Sequence, residues 1–190
     1  MNFIKNLLIS YIFAQRKGTK CPLFCLLMEG VVSKIRELLE PRLLEDSLFL
    51  VDVKHLPGNK IQVYIDGMTN VTIGQCVQIS RFLEEYLDKG DIVPVDYNLE
   101  VSSPGMENPL VVPAQFQKRI GQNLDVLYID GRKILGRIKE ASSEGVTLII
   151  EPVSKKKPDK DAVISQTEVF IEYSQIKSAT IQFSFKSSNR

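Results

Sequence analysis

The sequence predicts an α+β half followed by a small all-β half. Three observations carry this. The two long stretches with apolar residues at helical spacing both lie before residue 90, runs of alternating apolar and polar residues occur in both halves, and a Pro/Gly-punctuated stretch at residues 102–113 separates them. A chain of 190 residues that is 44% hydrophobic can bury one or two modest cores, so two compact domains fit.

In the first half, Val32, Ile35, Leu38 and Leu39 recur at helical spacing, and Pro41 or its successors should end or bend that helix. Residues 48–53 read as a strand, and Ile61, Val63 and Ile65 alternate with polar partners in a second. The Leu56-Pro57-Gly58-Asn59 break between them predicts a hairpin. Thr72 and Gln75 have capping-box spacing, which starts a second helix. Its buried face is predicted as Cys76, Ile79, Leu83, Tyr86 and Leu87, with Arg81, Glu84, Glu85, Asp88 and Lys89 in water. After a return loop at 91–96, residues 97–101 supply a third strand. The order helix-strand-strand-helix-strand is an α+β sandwich with both helices on one face of the sheet.

In the second half, residues 114–120 allow one short helical turn with Phe116 and Ile120 facing inward. Leu124, Val126 and Tyr128 then alternate into Asp130-Gly131, a hairpin signal. Residues 134–141 form the next strand, with Gly136 at a bend, and 146–151, 167–173 and a last strand bearing Ile181, Phe183 and Phe185 follow. Five short strands joined mostly by tight turns predict a small closed barrel. The polar, lysine-rich stretch 153–161 is expected to be a mobile loop.

The net charge of +1 conceals a strong asymmetry. Residues 1–27 carry four Lys/Arg and no acid, residues 28–112 carry 7 Lys/Arg against 14 Asp/Glu, and residues 113–190 carry 13 against 9. An acidic half beside a basic one fits a cationic partner on the first and a polyanion on the second; taken singly, the charges are ordinary solvated surface. Lys155, Lys156, Lys157 and Lys160 could neutralise phosphates and give salt-sensitive affinity, and Arg132 and Lys133, with Arg137 and Lys139, could extend the patch. With Asp159 and Asp161 interleaved, the same loop reads equally as a solubilising one. The chain has no Trp, so base-stacking platforms are unsupported.

Catalysis finds no constellation. The single histidine, His55, has no cysteine or second histidine at metal-ligand spacing, and neither a phosphate-loop nor a nucleophile-elbow motif occurs. Ser102 and Ser103 lack a neighbouring base and are expected to hydrogen-bond the turn backbone. No cofactor or metal is called for. Three cysteines, Cys21, Cys25 and Cys76, do not form a disulfide framework, which fits a reducing cytoplasm. Residues 1–27 read as an atypical extension, disordered or arising from an upstream start. Their apolar run at 3–14 is too short to span a bilayer, and a signal peptide would lack the small-x-small cleavage pattern.

The run Tyr97-Asn98-Leu99-Glu100-Val101-Ser102-Ser103-Pro104-Gly105-Met106-Glu107-Asn108-Pro109-Leu110 resembles the signature of the RimP family of ribosome maturation factors. There a strand leads into Val-Ser-Ser-Pro-Gly and an acidic-basic pair before Pro-Leu. The resemblance extends from residue 28 to about residue 185, and it departs from the pattern where Glu107-Asn108 replaces the acidic-basic pair. It implies a KH-like domain at 28–105, a linker at 106–113 and an Sm-like barrel at 114–190. It also implies a non-enzymatic, monomeric factor in maturation of the small ribosomal subunit, with no membrane role. The partners implied are the free subunit, its ribosomal protein twelve and rRNA. On that basis Ser102, Ser103, Pro104, Gly105, Glu107, Asn108, Glu84, Glu85 and Asp88 are candidate protein contacts, and Lys155, Lys156, Lys157, Lys160, Arg132 and Lys133 candidate RNA contacts. A general RNA-binding module is the alternative, and a hydrolase would need a site the sequence does not display.

Overall fold

The structure, a computed structural model, describes residues 22–89, 97–150 and 167–182. The expected loops at 91–96 and 153–161, residues 1–21, Phe183 and Phe185 lie outside the described residues. The chain divides into two compact units, Met1–Pro104 and Gly105–Arg190.

In the first unit the order is α1 (Pro22–Glu45), β1 (Leu48–Leu56), β2 (Lys60–Gly67), α2 (Ile73–Lys89) and β3 (Asn98–Ser102). The buried stripe of α1 is Val31, Ile35, Leu39 and Leu43, a strict four-residue step, with Leu38 only half-buried. Pro41 lies inside this helix and does not end it. Its ring is exposed and it forfeits one backbone bond, while the buried Leu43 holds the last turn against the sheet. Burial of one such side chain is worth about 1.5–3 kcal/mol, enough to offset much of a proline's ~3 kcal/mol cost.

β1 and β2 pair antiparallel around the Pro57-Gly58-Asn59 turn, where Gly58 and Asn59 both have positive φ. Leu50 pairs with Ile65 and Asp52 with Tyr64, so Val51 is an extra residue in β1. This bulge changes the side-chain parity: Leu48 and Leu50 face the core before it and Val53 after it, while Asp52 turns outward. β3 lies on the other side of β2 and runs parallel to it, the direction an intervening helix permits. Ile61, Val63 and Ile65 of the central strand are fully buried in one cluster with residues of both helices. On α2, Ile79, Leu83 and Leu87 are buried, and Cys76 packs partly buried against the same core. Tyr86, expected on this face, is exposed, because the buried stripe again advances by four and leaves it on the flank. The capping box forms: the Gln75 amide donates to Thr72 Oγ1 at 3.2 Å and the Thr72 amide donates to Gln75 Oε1 at 2.9 Å.

The second unit contains α3 (Pro113–Lys118), β4 (Asn123–Tyr128), β5 (Lys133–Ala141), β6 (Gly145–Ile150), β7 (Thr167–Glu172), a 3-10 turn (Tyr173–Gln175) and β8 (Ile176–Ile181). All pairs are antiparallel and the order is β7-β6-β5-β4-β8. Phe116 is buried and stacks, tilted, on Tyr173 with ring centroids 4.9 Å apart. Ile120, expected inward, is exposed, since α3 ends at Lys118 and helical spacing no longer applies to it. Gln115, which the sequence did not single out, is buried, and its Oε1 accepts the Val111 and Val112 amides at 2.7 and 3.3 Å.

The connection between the two edge strands forces the sheet to curl. Glu172 ends β7 and Ile176 opens β8. That short step spans at most ~14 Å, whereas the edges of a flat five-stranded sheet are about 19 Å apart. Two glycines accommodate the resulting close approach. A Cβ at Gly136 would lie 3.0 Å from both the Ile149 carbonyl oxygen and Leu148 Cβ, and one at Gly145 would meet the Ile171 carbonyl oxygen and come within 2.7 Å of Phe170 Cζ. Backbone cannot rotate away as a side chain can.

Gly145→Ala should therefore destabilise the protein by about 1–3 kcal/mol, read as a thermal midpoint lowered by several degrees in circular dichroism. Gly30→Ala, with no atom within 4 Å of the new Cβ, should not lower it. An unchanged midpoint in Gly145→Ala would remove the packing argument. Thr72→Ala should lose about 1 kcal/mol through the cap, measured by urea unfolding, and Thr72→Ser should restore most of it.

Candidate functional site

Two groups of candidate residues in the first unit flank β3, at its opposite ends. At the start, the Asn98 amide donates to the Asn59 carbonyl at 3.0 Å, fixing β3 beside the β1–β2 turn. The adjacent Tyr97 hydroxyl donates to Asp88 Oδ1 at 2.7 Å, which ties β3 to the last turn of α2. Glu84 and Glu85 are exposed on the same helix. Glu84 accepts the Ser80 hydroxyl at 3.0 Å, and Glu85 pairs with Lys89. The hydrogen bond from Lys89, followed by its charge, holds the Glu85 carboxyl below its ordinary range.

At the far end, Ser102 is the last residue of β3 and pairs with Tyr64, and Ser103 is exposed. Six steps of extended chain lead from Tyr97 to Ser103, about 20 Å along the strand. The acids of α2 and Ser102–Ser103 are thus not brought together. In the second unit, the turn after Gly105 is closed by the Asn108 amide donating to the Gly105 carbonyl at 3.0 Å. Glu107 and Asn108 are exposed on it.

Between these ends, the outward face of the sheet is laced by its own charges. Lys60 pairs with Glu100 at 2.6 Å and the Gln62 amide donates to Glu100 at 3.0 Å, which together keep the Glu100 carboxyl ionised to lower pH than usual. Arg36 reaches Asp52 at 2.7 Å and Lys54 reaches it at 3.6 Å. His55 sits half-buried in β1 opposite Ile61, where burial lowers its pKa. Among the described residues, no group of three or more His, Cys, Asp or Glu could hold a metal ion, and no helix is long and apolar enough to cross a membrane.

In the second unit, Arg132 and Lys133 lie at the β4–β5 hairpin. Arg132 is engaged by its neighbours: its amide and Nε donate to Asp130 at 2.9 and 2.7 Å, and its guanidinium lies 5.1 Å from the centroid of the Tyr128 ring. Those bonds, the backbone one first, lower the Asp130 pKa. Lys133, Leu135 and Arg137 are exposed while Ile134, Gly136 and Ile138 alternate inward, so both cations share the outer face of β5. Lys139, at the register irregularity of the same strand, pairs with Glu168 at 2.6 Å. Lys155, Lys156, Lys157 and Lys160 lie outside the described residues. The exposed Phe170 on β7 escaped the sequence analysis, because a run of alternating residues does not say which face is covered.

Tyr97 offers a direct probe of the α2–β3 contact. Burial, then the hydrogen bond to Asp88, raises its pKa above 10.0, so the folded state favours the neutral phenol. The stability tied to it is complete below pH 10 and is lost as pH rises further. Burial raises the Tyr173 pKa too, so ultraviolet titration at alkaline pH should resolve a late-ionising tyrosine component that is diminished in Tyr97→Phe. A titration curve unaffected by that substitution would refute the assignment.

Residues 38–107 match the family model of the RimP N-terminal domain. The matched stretch takes in the end of α1, both hairpin strands, α2, β3 and the turn through Glu107. Residues 38–107 thus form a RimP N-terminal domain.

Proposed function

We propose that this chain is a non-enzymatic factor in maturation of the small ribosomal subunit, binding the free subunit and its ribosomal protein twelve in the cytoplasm as a monomer. The observation that carries the proposal is the RimP N-terminal domain match over residues 38–107. Two structural features support the finer parts. The order helix-strand-strand-helix-strand supports a KH-like first unit. A curled five-stranded antiparallel sheet preceded by one short helix supports an Sm-like second unit.

Charge supports the division of labour. The acid excess of residues 28–112 suits a cationic ribosomal protein, with Glu84, Glu85, Asp88 and the stretch Ser102 to Asn108 as proposed contacts. The basic excess of residues 113–190 suits rRNA phosphates. Lys133 and Arg137, which share one face and form no ion pair among the described residues, are the cations best placed to release counterions there.

The full chain should co-sediment in sucrose gradients with free small subunits and be depleted from joined ribosomes. Lys133→Glu together with Arg137→Glu should weaken that association and flatten its salt dependence. Residence at the top of the gradient even at low salt would overturn the assembly reading. If the chain nevertheless bound generic RNA in filter assays, it would be a general RNA-binding module.

A further inference from the structure

We propose that the end of the first unit bearing Leu44, Met68, Ile73 and Val77 is a docking site for a cationic polypeptide segment that carries apolar side chains. These four are large hydrophobic residues left 74%, 56%, 85% and 43% exposed. The fold gathers them at one end of the sheet. Leu48 pairs with Gly67, and a Cβ at Gly67 would lie 3.3 Å from the Ser47 carbonyl oxygen and 3.5 Å from that of Thr69. The Ser47 amide in turn donates to the Leu44 carbonyl at 3.1 Å, so the last turn of α1 stands beside the β2–α2 loop. Met68 is in that loop, and Ile73 and Val77 lie one turn apart on the first two turns of α2. Scattered single hydrophobes need no explanation, whereas several gathered at one end mark an interaction surface.

The surrounding charge selects the occupant. Glu45, exposed, and Asp46, half-buried, follow directly after Leu44, and residues 61–80 contain not one Lys or Arg. Glu40, exposed, stands one turn before Leu44 on α1. The nearby cation Arg42 is held by Glu45 at 3.2 Å and Asp46 at 2.9 Å, and Arg81 follows one turn beyond Val77. An acidic rim repels nucleic acid and anionic lipid surfaces, and a second copy would bring two such rims together. A segment combining Lys or Arg with apolar anchors answers both the rim and the patch. The site differs from the acids Glu84, Glu85 and Asp88 proposed above, and it rests on the reading of this unit as the holder of a cationic protein.

The test uses the full chain and two labelled peptides, one combining Lys and Arg with Leu and Val, the other of equal charge with Ser in place of Leu and Val. The chain should bind the first at least about tenfold more tightly in fluorescence anisotropy. Leu44→Glu with Ile73→Glu should abolish that preference, and the milder Ile73→Ser should reduce it, with thermal midpoints unchanged. Equal binding of both peptides, or a preference that survives the substitutions, overturns the proposal. So does a wild-type dimer, seen by analytical ultracentrifugation, that the substitutions dissociate. Parallel titration with purified small-subunit ribosomal protein twelve separates the two readings. If that protein binds wild type and the doubly substituted chain alike, the patch falls and the assembly reading stands; if the apolar-cationic peptide binds selectively and that protein does not, the patch stands and the partner assignment falls.

Discussion

The register of β1 on β2 is the constraint on which the first unit depends. Without the extra residue at Val51, the side chains of residues 48, 50, 52 and 54 would share one face, placing Asp52 and Lys54 beneath the helices. Leaving a carboxylate buried without a good partner costs several kcal/mol, a large part of the 5–15 kcal/mol by which domains are stable. The bulge turns Asp52 outward, where Arg36 and Lys54 reach it, and admits Val53 to the core. The same register sets Leu48 opposite Gly67, so closely that a larger residue at 67 would strike the leucine side chain. That approach draws the end of α1 against the β2–α2 loop and assembles the apolar end of the unit.

In the second unit the corresponding constraint is a short path between distant edges. β7 and β8 lie at opposite sides of the sheet but are joined by three residues, and only a curled sheet brings their ends within reach. Curling crowds the concave side, and the chain answers with Gly136 and Gly145 where neighbouring backbone passes closest. The convex side is where Lys133, Leu135 and Arg137 emerge, so the geometry that closes the core also presents the two cations together.

Features written in local chemistry were legible beforehand. The Thr72–Gln75 box, the alternation of Ile61, Val63 and Ile65, and the turn at Asp130-Gly131 each depend on residues a few positions apart. The family signature was legible for the same reason, being one continuous strand and turn. Tyr86 and Ile120 were misjudged because the helical stripe tracks its partner surface and a helix's end is set by packing, neither of which is local. The bulge at Val51 was invisible, since its purpose is seen only against β2. The candidate site suffered in the same way. The acids of α2 and Ser102–Ser103 lie at opposite ends of the extended β3, which holds them apart. The apolar end drew no notice at all, for exposure belongs to the assembled structure.

Charge alone makes a poor basis for choosing among basic partners. At physiological salt the field of a solvated carboxylate fades within about 8 Å, and every cationic protein meets it equally. Several of the first unit's acids are already answered internally, Glu100 by Lys60, Asp52 by Arg36 and Glu85 by Lys89. What distinguishes one cationic chain from another at such a surface is the contact that salt does not screen. Leu44, Met68, Ile73 and Val77 supply apolar area within an acidic surround, and area buried there persists when the electrostatic part is screened. Steering by charge and retention by apolar contact are then separate functions of one surface, and each can be altered in the sequence without the other.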